Sequence, residues 1–560
     1  MPETTEELIQ RGFAPIKEEY RLTKEEIAAL EPVQTDDAAG DAPSTPVETR
    51  ANVPRNKRRG VDRGREKKMT KARADIRAKT MRLCPSVLIP DKDCRFGEKC
   101  TCEHDIEVYL AQKPKDLGEE CPVFNAQGKC NYSYACRFGG AHTKGEEQLT
   151  KEPSPDYKPV INTNFAPIQI AMRKHQYDFS RADQIVKTLP DEGPVGAMER
   201  VRLKLNMRDL KGKPYLAPLT TVGNLPFRRL AVKMGAEITC SEMAVATSIL
   251  QGAPSEWSLL KRHHTEKIFG IQLAGGYPDA LTRAAQIVVD ELEADFIDIN
   301  LGCPLDVVND KGGGCALAER PGKLLKVVSA MSQVMKDVPL TLKMRYGIRE
   351  GTREVHHVMN RLAKTCPPAL ITLHPRSKTQ RYTRDAEWDY IPTCAAALED
   401  KVPLWVCGDV ITPQMYYRNL EEYPIDGIMV GRGALIKPWI FKELEDKQLW
   451  DISASERLDI CRDFVNFGLE HWGSDDAGVE TCRRFMLEWL SFAHRYIPVG
   501  LLEVLPPKIN MRPPAFRGRS DIETLLASAK CNDWVKITEM FLGPVPDGFL
   551  FAPKHKANAF

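Results

Sequence analysis

The amino-acid sequence predicts an α/β fold in which a (β/α)8 barrel of the TIM type occupies the middle of the chain. Eight short apolar segments, each ending in polar or glycine residues, predict the strands. These segments span residues 215–220, 238–242, 267–275, 296–304, 339–345, 369–376, 402–409 and 426–434. Stretches of helical character lie between them, such as residues 279–294 and 323–335. Strands that alternate with crossover helices fit a closed parallel barrel, which we place over residues 211–445.

An open doubly wound sheet is the alternative arrangement for alternating strands and helices. Such a sheet commonly has a Gly-x-Gly-x-x-Gly turn after its first strand, and no such turn follows residues 215–220. The barrel is therefore favoured. Its active site is expected at the C-terminal ends of the strands.

Two segments after the barrel, residues 453–468 and 480–496, have apolar residues at helical spacing. Their apolar side chains should form the core of a helical domain over residues 446–545. A C-terminal tail over residues 546–560 follows, and a linker over residues 146–210 precedes the barrel.

The start of the chain is segregated by charge, although all 560 residues together have a formal net charge of only +2. Residues 1–50 carry twelve acidic and five basic side chains, a composition that cannot bury enough apolar surface to fold. Residues 55–82 carry thirteen Lys or Arg residues against three acidic ones. We therefore expect a disordered tail over residues 1–80, acidic and then basic. The basic run is typical of a solvated tail, with nuclear import or RNA contact as the more specific alternative.

No stretch approaches the ~18 apolar residues of a membrane span, and the N-terminus lacks the apolar core of a signal peptide. These observations argue against a membrane protein and predict a soluble protein of the cytoplasm, the nucleus or both. In such a compartment the 16 cysteines are not expected to form disulfides. Seven of them lie between Cys84 and Cys136, which indicates metal binding.

Two sets of three cysteines and one histidine predict zinc sites in residues 81–145, with spacings C-x9-C-x5-C-x3-H and C-x8-C-x5-C-x5-H. The first set is Cys84, Cys94, Cys100 and His104, and the second is Cys121, Cys130, Cys136 and His142. Thiolates with an imidazole suit tetrahedral zinc, which contributes about 10–16 kcal/mol to the folding of such a segment. Cys102 is left as a free thiol. The longer last gap makes His142 the less regular of the two histidine ligands.

These sets resemble CCCH zinc fingers, a family that binds single-stranded RNA. The resemblance rests on the spacing and on the repeated sequence Cys-Arg-Phe-Gly at residues 94–97 and 136–139. An exposed Phe96 or Phe138 would offer a face for base stacking, worth about 1–3 kcal/mol per base, and the adjacent arginine would attract phosphate. The alternative is a structural finger in which both rings pack over the zinc sites.

Glycine, aspartate and arginine end the later predicted strands. The tripeptide His-Pro-Arg lies at residues 374–376, Gly-Asp at 408–409 and Gly-Arg-Gly at 431–433. Loops after strands seven and eight of such barrels commonly hold a phosphate, since glycines let backbone N–H groups approach it and arginine supplies charge. These residues therefore predict a phosphate site.

Amide and amine side chains end the middle strands, at Gln272, Asn300 and Lys343. In the barrel mouth they would hydrogen-bond a heteroaromatic ring, and Lys343 would stabilise negative charge on a reduced flavin. Cys303 follows the apolar run 296–299 on a turn, where a thiol can give or take one proton. A cysteine that merely fills the turn is the alternative.

Six ordered motifs carry a resemblance to the tRNA-dihydrouridine synthases. The motifs are LAPLTTVGNLPFRRL, GIQLAG, IDINLGCP, TLKMR, TLHPRSKTQRYTRDAEW and GIMVGRGAL. With two CCCH fingers upstream, the chain resembles the eukaryotic zinc-finger branch of that family. The resemblance covers about residues 84–545.

The resemblance implies FMN, NADPH and zinc as cofactors, with Cys303 as the catalytic cysteine. The FMN-binding residues that the motifs and strand ends indicate are Pro218, Leu219, Thr220, Gln272, Asn300, Lys343, His374, Cys407, Gly408, Asp409, Gly431 and Arg432. Cys407 departs from the family pattern, which more often has Asn before Gly-Asp. A contact there must come from the backbone or be lost.

The implied reaction reduces the C5–C6 double bond of a uridine in tRNA, at position 47 of the variable loop. NADPH reduces FMN, a hydride from flavin N5 reaches C6, and Cys303 protonates C5 as general acid. A cysteine with an unperturbed pKa of about 8.5 is mostly protonated at neutral pH, which suits this role. The uridine must be extruded from folded tRNA, which explains why a barrel enzyme would carry RNA-binding domains.

The RNA contacts expected from the resemblance and the basic pattern are Phe96, Phe138, Arg376, Arg483 and Arg484. The last two should lie on the surface of a helical domain that grips tRNA, with an unspecialised basic face as the alternative. Whether mRNA is also a substrate stays open at this point.

Two other functions stay open. An FMN barrel reductase acting on a free pyrimidine or another small molecule fits the barrel but leaves the fingers and the basic run without a role. An RNA-binding protein with a non-catalytic barrel is disfavoured by the presence of Cys303, Lys343 and the phosphate-loop residues.

Overall fold

The computed structural model describes residues 4–29, 55–89, 92–145, 147–194, 196–198 and 202–554. Eight parallel strands close into a barrel, which confirms the predicted fold. The strands are β1 (Tyr215–Leu216), β2 (Ile238–Cys240), β3 (Ile268–Ala274), β4 (Phe296–Leu301), β5 (Leu340–Gly347), β6 (Leu370–Ser377), β7 (Leu404–Val406) and β8 (Gly427–Val430). Their order is β2-β1-β8-β7-β6-β5-β4-β3, and pairing of β2 with β3 completes the barrel.

Aromatic rings fill the N-terminal end of the barrel. The ring of Tyr215 contacts those of Phe296 and Trp405 at centroid separations of 6.1 and 5.8 Å. Two glycines make room for these rings, because a Cβ atom on Gly270 would lie 2.1 Å from Phe296 and one on Gly427 2.5 Å from Trp405. With this end closed, a ligand can enter only from the C-terminal mouth.

Residues 4–29 are folded. Helices α1 (Thr5–Gln10) and α2 (Lys24–Ala29) flank a stretch in which Ala14 and Ile16 are fully buried. These two side chains pack in one apolar cluster with Leu501 and its neighbours near the other end of the chain. The apolar residues of this acidic segment therefore find their partner surface outside it.

The basic run forms helix α3 (Arg55–Lys79), consistent with its many residues of high helix propensity. The predicted disordered tail over residues 1–80 is therefore wrong for residues 4–29 and for this helix. Composition measures only what a segment can bury within itself, and it missed the docking of residues 4–29 on a distant surface. The rest of the predicted tail, residues 1–3 and 30–54, lies outside the described residues.

The finger region over residues 81–145 has little regular structure. Helix α4 (Ile106–Gln112) is capped by the carboxylate of Asp105, and helix α5 (Pro122–Gln127) begins at Cys121. Short antiparallel strands pair residues 143–144 with 147–148. Segments of this kind fold around their metal ligands more than around an apolar core.

The predicted linker is attached to the barrel through helices α6 (Ala166–Arg173) and α7 (Ser180–Thr188). Arg283 on the barrel surface pairs with Asp183 of α7 at 2.6 Å. Gln286 Oε1 accepts a hydrogen bond from the backbone of α7 at 3.1 Å. Residues 146–210 thus brace one side of the barrel.

Half of the twelve described helices around the barrel have proline in their first turn, where its missing N–H is not needed. The twelve are α8 (Leu225–Lys233), α9 (Ala246–Leu250), α10 (Pro254–Trp257), α11 (Pro278–Glu291), α12 (Asp306–Asn309), α13 (Cys315–Ala318), α14 (Pro321–Met335), α15 (Val355–Thr365), α16 (Ile391–Ala397), α17 (Pro413–Glu422), α18 (Arg432–Ile436) and α19 (Ile440–Asp446). On α8, Arg228 forms an ion pair of 2.7 Å with Glu266, and the two side chains are 2% and 0% exposed. The hydroxyl of Thr239 also donates to Glu266 at 2.7 Å.

A helical domain follows the barrel, as predicted. Its helices are α20 (Ala454–Trp472), α21 (Asp476–Ala493), α22 (Asp521–Leu526) and α23 (Cys531–Leu542). Arg229 of α8 pairs with Glu470 of α20 at 3.0 Å and ties the domain to the barrel. The predicted tail packs along the domain as far as Lys554, whose backbone N–H donates to Glu488 at 3.0 Å. Among the helices of the described residues, none combines the length and apolar character needed to cross a membrane.

Candidate active site and metal centres

A chain of hydrogen bonds runs from the barrel interior to the turn that holds Cys303. It begins at Asp298, which accepts from Thr341 Oγ1 at 2.6 Å and from Gln272 Nε2 at 2.8 Å. Asn300 Nδ2 donates to Gln272 Oε1 at 2.9 Å. The backbone N–H of Cys303 donates to Asn300 Oδ1 at 2.9 Å. These residues meet because β3, β4 and β5 are neighbours and Gln272 lies in register with Asp298.

The chain has a fixed polarity, since a carboxylate at its inner end can only accept. Burial raises the pKa of Asp298 to about 6, although hydrogen bonds from Thr341 and Gln272 and the charge of Lys343 favour its ionised form. Asp298 is therefore mostly ionised at neutral pH and orients both amides above it. It is absent from the predicted site residues. An acidic residue inside an apolar strand is the signal that could have identified it.

Cys303 is held on a tight turn after β4, with 9% of its surface exposed. Its carbonyl accepts from Asn309 Nδ2 at 2.8 Å and from Cys315 N at 3.3 Å. Gly314 packs on the turn with a φ of 60°, where a Cβ atom would lie 2.7 Å from the Cys303 carbonyl oxygen. Burial raises the pKa of the Cys303 thiol. A thiol that stays protonated at neutral pH suits a proton donor.

Lys343 on β5 lies in register with Asn300 of β4 and Thr372 of β6. Its side chain is half-buried. Within the described residues its ammonium group makes no hydrogen bond to the protein, so its donors are available to a ligand in the mouth.

Two arginines share one carboxylate where β6, β7 and β8 end. Arg376 and Arg432 both pair with Asp409, and the three side chains are 1%, 9% and 10% exposed. Arg376 Nη1 donates to His374 Nε2 at 3.1 Å, and the ring of Tyr382 stacks on His374 at 5.7 Å. Burial and the surrounding cations lower the pKa of His374 well below its usual value, so the ring is neutral. One positive charge stays in excess, as a phosphate site requires.

The remaining predicted flavin contacts lie at the same mouth. Pro218, Leu219 and Thr220 form the loop after β1. A Cβ atom on Gly431 would lie 3.7 Å from Cys407 Sγ and 4.0 Å from Leu219 Cδ2, so these three residues are neighbours. The backbone N–H of Cys407 already donates to a carbonyl of β6 at 2.9 Å. Only its carbonyl and thiol are left for a ligand.

These residues fit FMN. Arg432 of the Asp409 cluster suits its phosphate. Gly408 keeps the backbone of that loop close, because a Cβ atom there would lie 3.1 Å from Pro375. The amides of Gln272 and Asn300, with the Lys343 ammonium, suit the polar edge of its ring.

Both Cys/His sets fit zinc, since the four ligand atoms of each lie within 4.8 Å of one another. The Sγ atoms of Cys84 and Cys94 are 3.7 Å apart, as are those of Cys121 and Cys136. Tetrahedral zinc with Zn–S bonds near 2.3 Å places two sulfurs about 3.8 Å apart. Both ring nitrogens of the buried His142 lack a hydrogen-bond partner among the described residues, and a bound metal would take one of them.

The first predicted RNA contact is exposed and the second is not. Phe96 is 56% exposed, and Arg95 Cζ lies 4.6 Å from its ring centroid, an arrangement suited to a base. Phe138 is only 6% exposed. Its predicted base stacking is wrong, because the folded chain covers the ring, with Gly118 lying against it.

Two of the three predicted arginine contacts are also buried. Arg376 belongs to the Asp409 cluster, not to an outer surface. Arg483 is 0% exposed and donates to Thr538 Oγ1 at 3.1 Å, so its predicted surface position is wrong, because α23 packs over that face of α21. Arg484 is partly exposed, and its role in RNA contact stays a prediction.

A closed parallel barrel fits a barrel flavoenzyme when its mouth holds an arginine–aspartate cluster with excess positive charge, a row of amides and a buried thiol, and here it is joined to two zinc fingers. The family "Dihydrouridine synthase (Dus)" matches residues 215–474, and the family "DUS3L CCCH zinc finger domain" matches residues 80–112 and 113–145. The chain belongs to the dihydrouridine synthase family.

Relatives match over nearly the whole length. A Rattus norvegicus protein named "tRNA-dihydrouridine(47) synthase [NAD(P)(+)]-like" is 43% identical, over 98% of this chain and 96% of its own. The Homo sapiens protein of that name is 41% identical, over 99% of this chain and 96% of its own. A solved structure of morphinone reductase is 12% identical with a TM-score of 0.32, over 45% of this chain and 91% of that chain, a likeness too slight to carry an argument.

Proposed function

We propose that this chain reduces the C5–C6 double bond of a uridine in tRNA to dihydrouridine, with bound FMN as cofactor and NADPH as reductant. One observation carries the proposal. The Cys303 turn, the Lys343 ammonium and the Asp409 cluster all lie at the C-terminal mouth of one barrel. The name of the relatives supports position 47 of the tRNA as the site and NAD(P)H as the electron source.

The protein's own residues bind the cofactor, orient the Cys303 thiol and protonate the uracil ring. Arg432 would hold the FMN phosphate, and the fully buried Arg376 would position the Asp409 carboxylate that both arginines share. When bound, FMN supplies the hydride that adds to C6 of the uracil ring. Cys303 gives its thiol proton to C5, and the charges of Arg345 and Lys378 favour the thiolate that is left. The Asn300 amide fixes the turn that aims this thiol.

Three features outside the barrel support a large RNA substrate. Phe96 is exposed beside Arg95 on the first finger. The charge of Arg73 on α3 acts on Arg484 of α21, so the basic helix and the helical domain present positive charge together. A uridine displayed in an mRNA loop would meet the same residues, and we include it in the proposed substrate class. We place the protein in the cytoplasm, the nucleus or both, where such RNAs are found.

The test uses the full-length protein and an unmodified tRNA transcript. We expect a yellow protein that releases FMN on denaturation and that forms dihydrouridine at position 47 when NADPH is added, as read by mass spectrometry of digested RNA. A transcript with cytidine at position 47 should give no product there. A colourless protein that cannot be reconstituted with FMN would overturn the proposal. Reduction of free uridine as fast as tRNA would favour the small-molecule reductase instead.

A further inference from the structure

The second zinc site is built into the interface between the fingers and the helical domain. Its ligands Cys121, Cys130, Cys136 and His142 are each 0% exposed. The first site is more open, since Cys84 is the only buried ligand in it. The two sites therefore differ in surroundings although they share one ligand set.

Ser474, in the turn between α20 and α21, brings its hydroxyl to the second site. Its Oγ lies 3.1 Å from Cys136 Sγ and 3.4 Å from Cys130 Sγ, across 338 and 344 positions of the chain. The side chain of Ser474 is fully buried. Zinc-bound cysteines are thiolates without a proton, so the hydroxyl must be the donor in the loaded site. Donors of this kind orient ligands and raise metal affinity.

The same turn is held by residues that lie between the ligands. The backbone N–H of Arg137 donates to the carbonyl of Ser474 at 2.7 Å. The Arg137 guanidinium pairs with Asp476, in the first turn of α21, at 2.9 Å. Tyr132 packs on Gly473, where a Cβ atom would lie 2.3 Å from the phenol oxygen. The second finger is therefore shaped to fit this turn.

The first finger has no such attachment at its metal. The hydroxyl beside its ligands is that of Ser86, 3.1 Å from Cys84 Sγ and within the same finger. Among the described residues, no side chain from another domain hydrogen-bonds a ligand of this site. Its Phe96 stays exposed, whereas Phe138 of the second finger is covered.

We propose that zinc in the second site fastens the fingers to the helical domain, with Ser474 as hydrogen-bond donor to its thiolates. Zinc there holds the turn between α20 and α21, while zinc in the first site orders only its own finger. The two fingers thus have different roles. The first presents a surface to RNA, and the second joins the finger region to the helical domain. The proposal does not depend on the reaction in the barrel.

The test compares Ser474→Ala with the matched variant Ser86→Ala in the full-length, zinc-loaded protein. During a challenge with EDTA, thiol alkylation with peptide mass spectrometry follows each site, and hydrogen exchange follows α21. Ser474→Ala should lower the zinc affinity of the second site by about 10- to 100-fold. Exchange in the first turns of α21 should rise as that site empties. Ser86→Ala should weaken the first site and leave α21 unchanged.

Two results would overturn the proposal. In one, the thiols of the second site are no more reactive in Ser474→Ala than in the wild-type protein. In the other, α21 keeps its protection after the second site has emptied. If Ser474→Ala does not fold, the wild-type protein provides the same test. During the EDTA challenge, hydrogen exchange in α21 must rise when Cys130 of the second site becomes reactive to alkylation. It must not rise when only Cys94 of the first site becomes reactive.

Discussion

Asn300→Asp should slow uridine reduction and make its rate depend on pH, because the change reverses one link of the hydrogen-bond chain under Cys303. The wild-type Asn300 amide donates to Gln272 Oε1 at 2.9 Å. An aspartate has only acceptors, so two oxygens would meet there. Gln272 can turn its amide round, but its oxygen then meets the Asp298 carboxylate, which lies 2.8 Å from the present amide nitrogen. In either orientation of Gln272, one pair of acceptor oxygens therefore faces each other without a hydrogen between them.

The size of the effect follows from this one missing donor. A buried acceptor without a donor costs about 1–3 kcal/mol. Because ~1.36 kcal/mol corresponds to tenfold in rate, reduction should slow by about 5- to 150-fold at pH 8. One proton on either carboxylate supplies the missing donor. The pKa of Asp298 is already raised to about 6 in the wild-type protein, and a second carboxylate raises it further. The variant should therefore speed up as pH falls from 8 towards 6.

The assay is single-turnover reduction of uridine in tRNA at pH 6, 7 and 8, with flavin content measured for each protein. The double variant Asp298→Asn with Asn300→Asp is the control. The new amide at position 298 can accept from Thr341 and donate to Gln272, which then donates to the new carboxylate. Every partner is satisfied again with the polarity reversed, so most of the rate should return without the pH dependence.

Either of two outcomes would refute this reasoning. The first is an Asn300→Asp protein as fast as the wild-type protein at pH 8. The second is a double variant no faster than the single one although its flavin content is normal. The first outcome would mean that the hydrogen-bond chain under Cys303 does not govern the rate. The second would mean that Asn300 acts on the substrate or the flavin directly.

Three further changes test other parts of the site. Cys303→Ala should keep its FMN and its oxidation of NADPH by oxygen while dihydrouridine formation falls by about 10²–10⁴-fold, and equal loss of flavin would make the residue structural. Arg432→Ala should weaken FMN binding by about 10- to 100-fold, read from flavin lost on dialysis, since a charged hydrogen bond contributes about 1.5–3 kcal/mol; full retention would place the phosphate elsewhere. Glu266→Gln leaves the buried Arg228 charge unpaired and should lower the free energy of unfolding by about 3–5 kcal/mol in urea titrations, whereas a loss below ~1 kcal/mol would contradict that pairing.

The sequence predicted the parts of this protein that follow from local spacing. The eight apolar segments became the barrel strands, because strand length and polar ends are local properties. The spacing of the cysteines and histidines brought both ligand sets together, including His142 after its longer gap. The polar residues at the strand ends lie together at the C-terminal mouth of the barrel, since parallel strands all end on the same side.

The predictions that failed concern side chains that distant parts of the folded chain bury. Phe138 and Arg483 have the sequence context of surface residues, yet both are buried, Arg483 against Thr538 of α23. Residues 4–29 have an acidic composition, yet a distant loop buries their apolar side chains. Asp298 is a different case, since an acidic residue inside the apolar strand was a local signal of a buried polar network. No pattern within a short window reports contacts between segments hundreds of residues apart.

The docking of the first residues onto a late part of the chain constrains how the protein is made. Arg21 bonds Glu503 at 2.8 Å across 482 positions, and the backbone of Lys17 donates to that of Leu501. At ~5–20 residues per second, a nascent N-terminus would wait roughly 25–100 s for its partner surface. During synthesis its apolar side chains are open to chaperones and proteases. A fusion tag at residue 1 or a truncation near residue 500 should therefore disturb the opposite end of the chain.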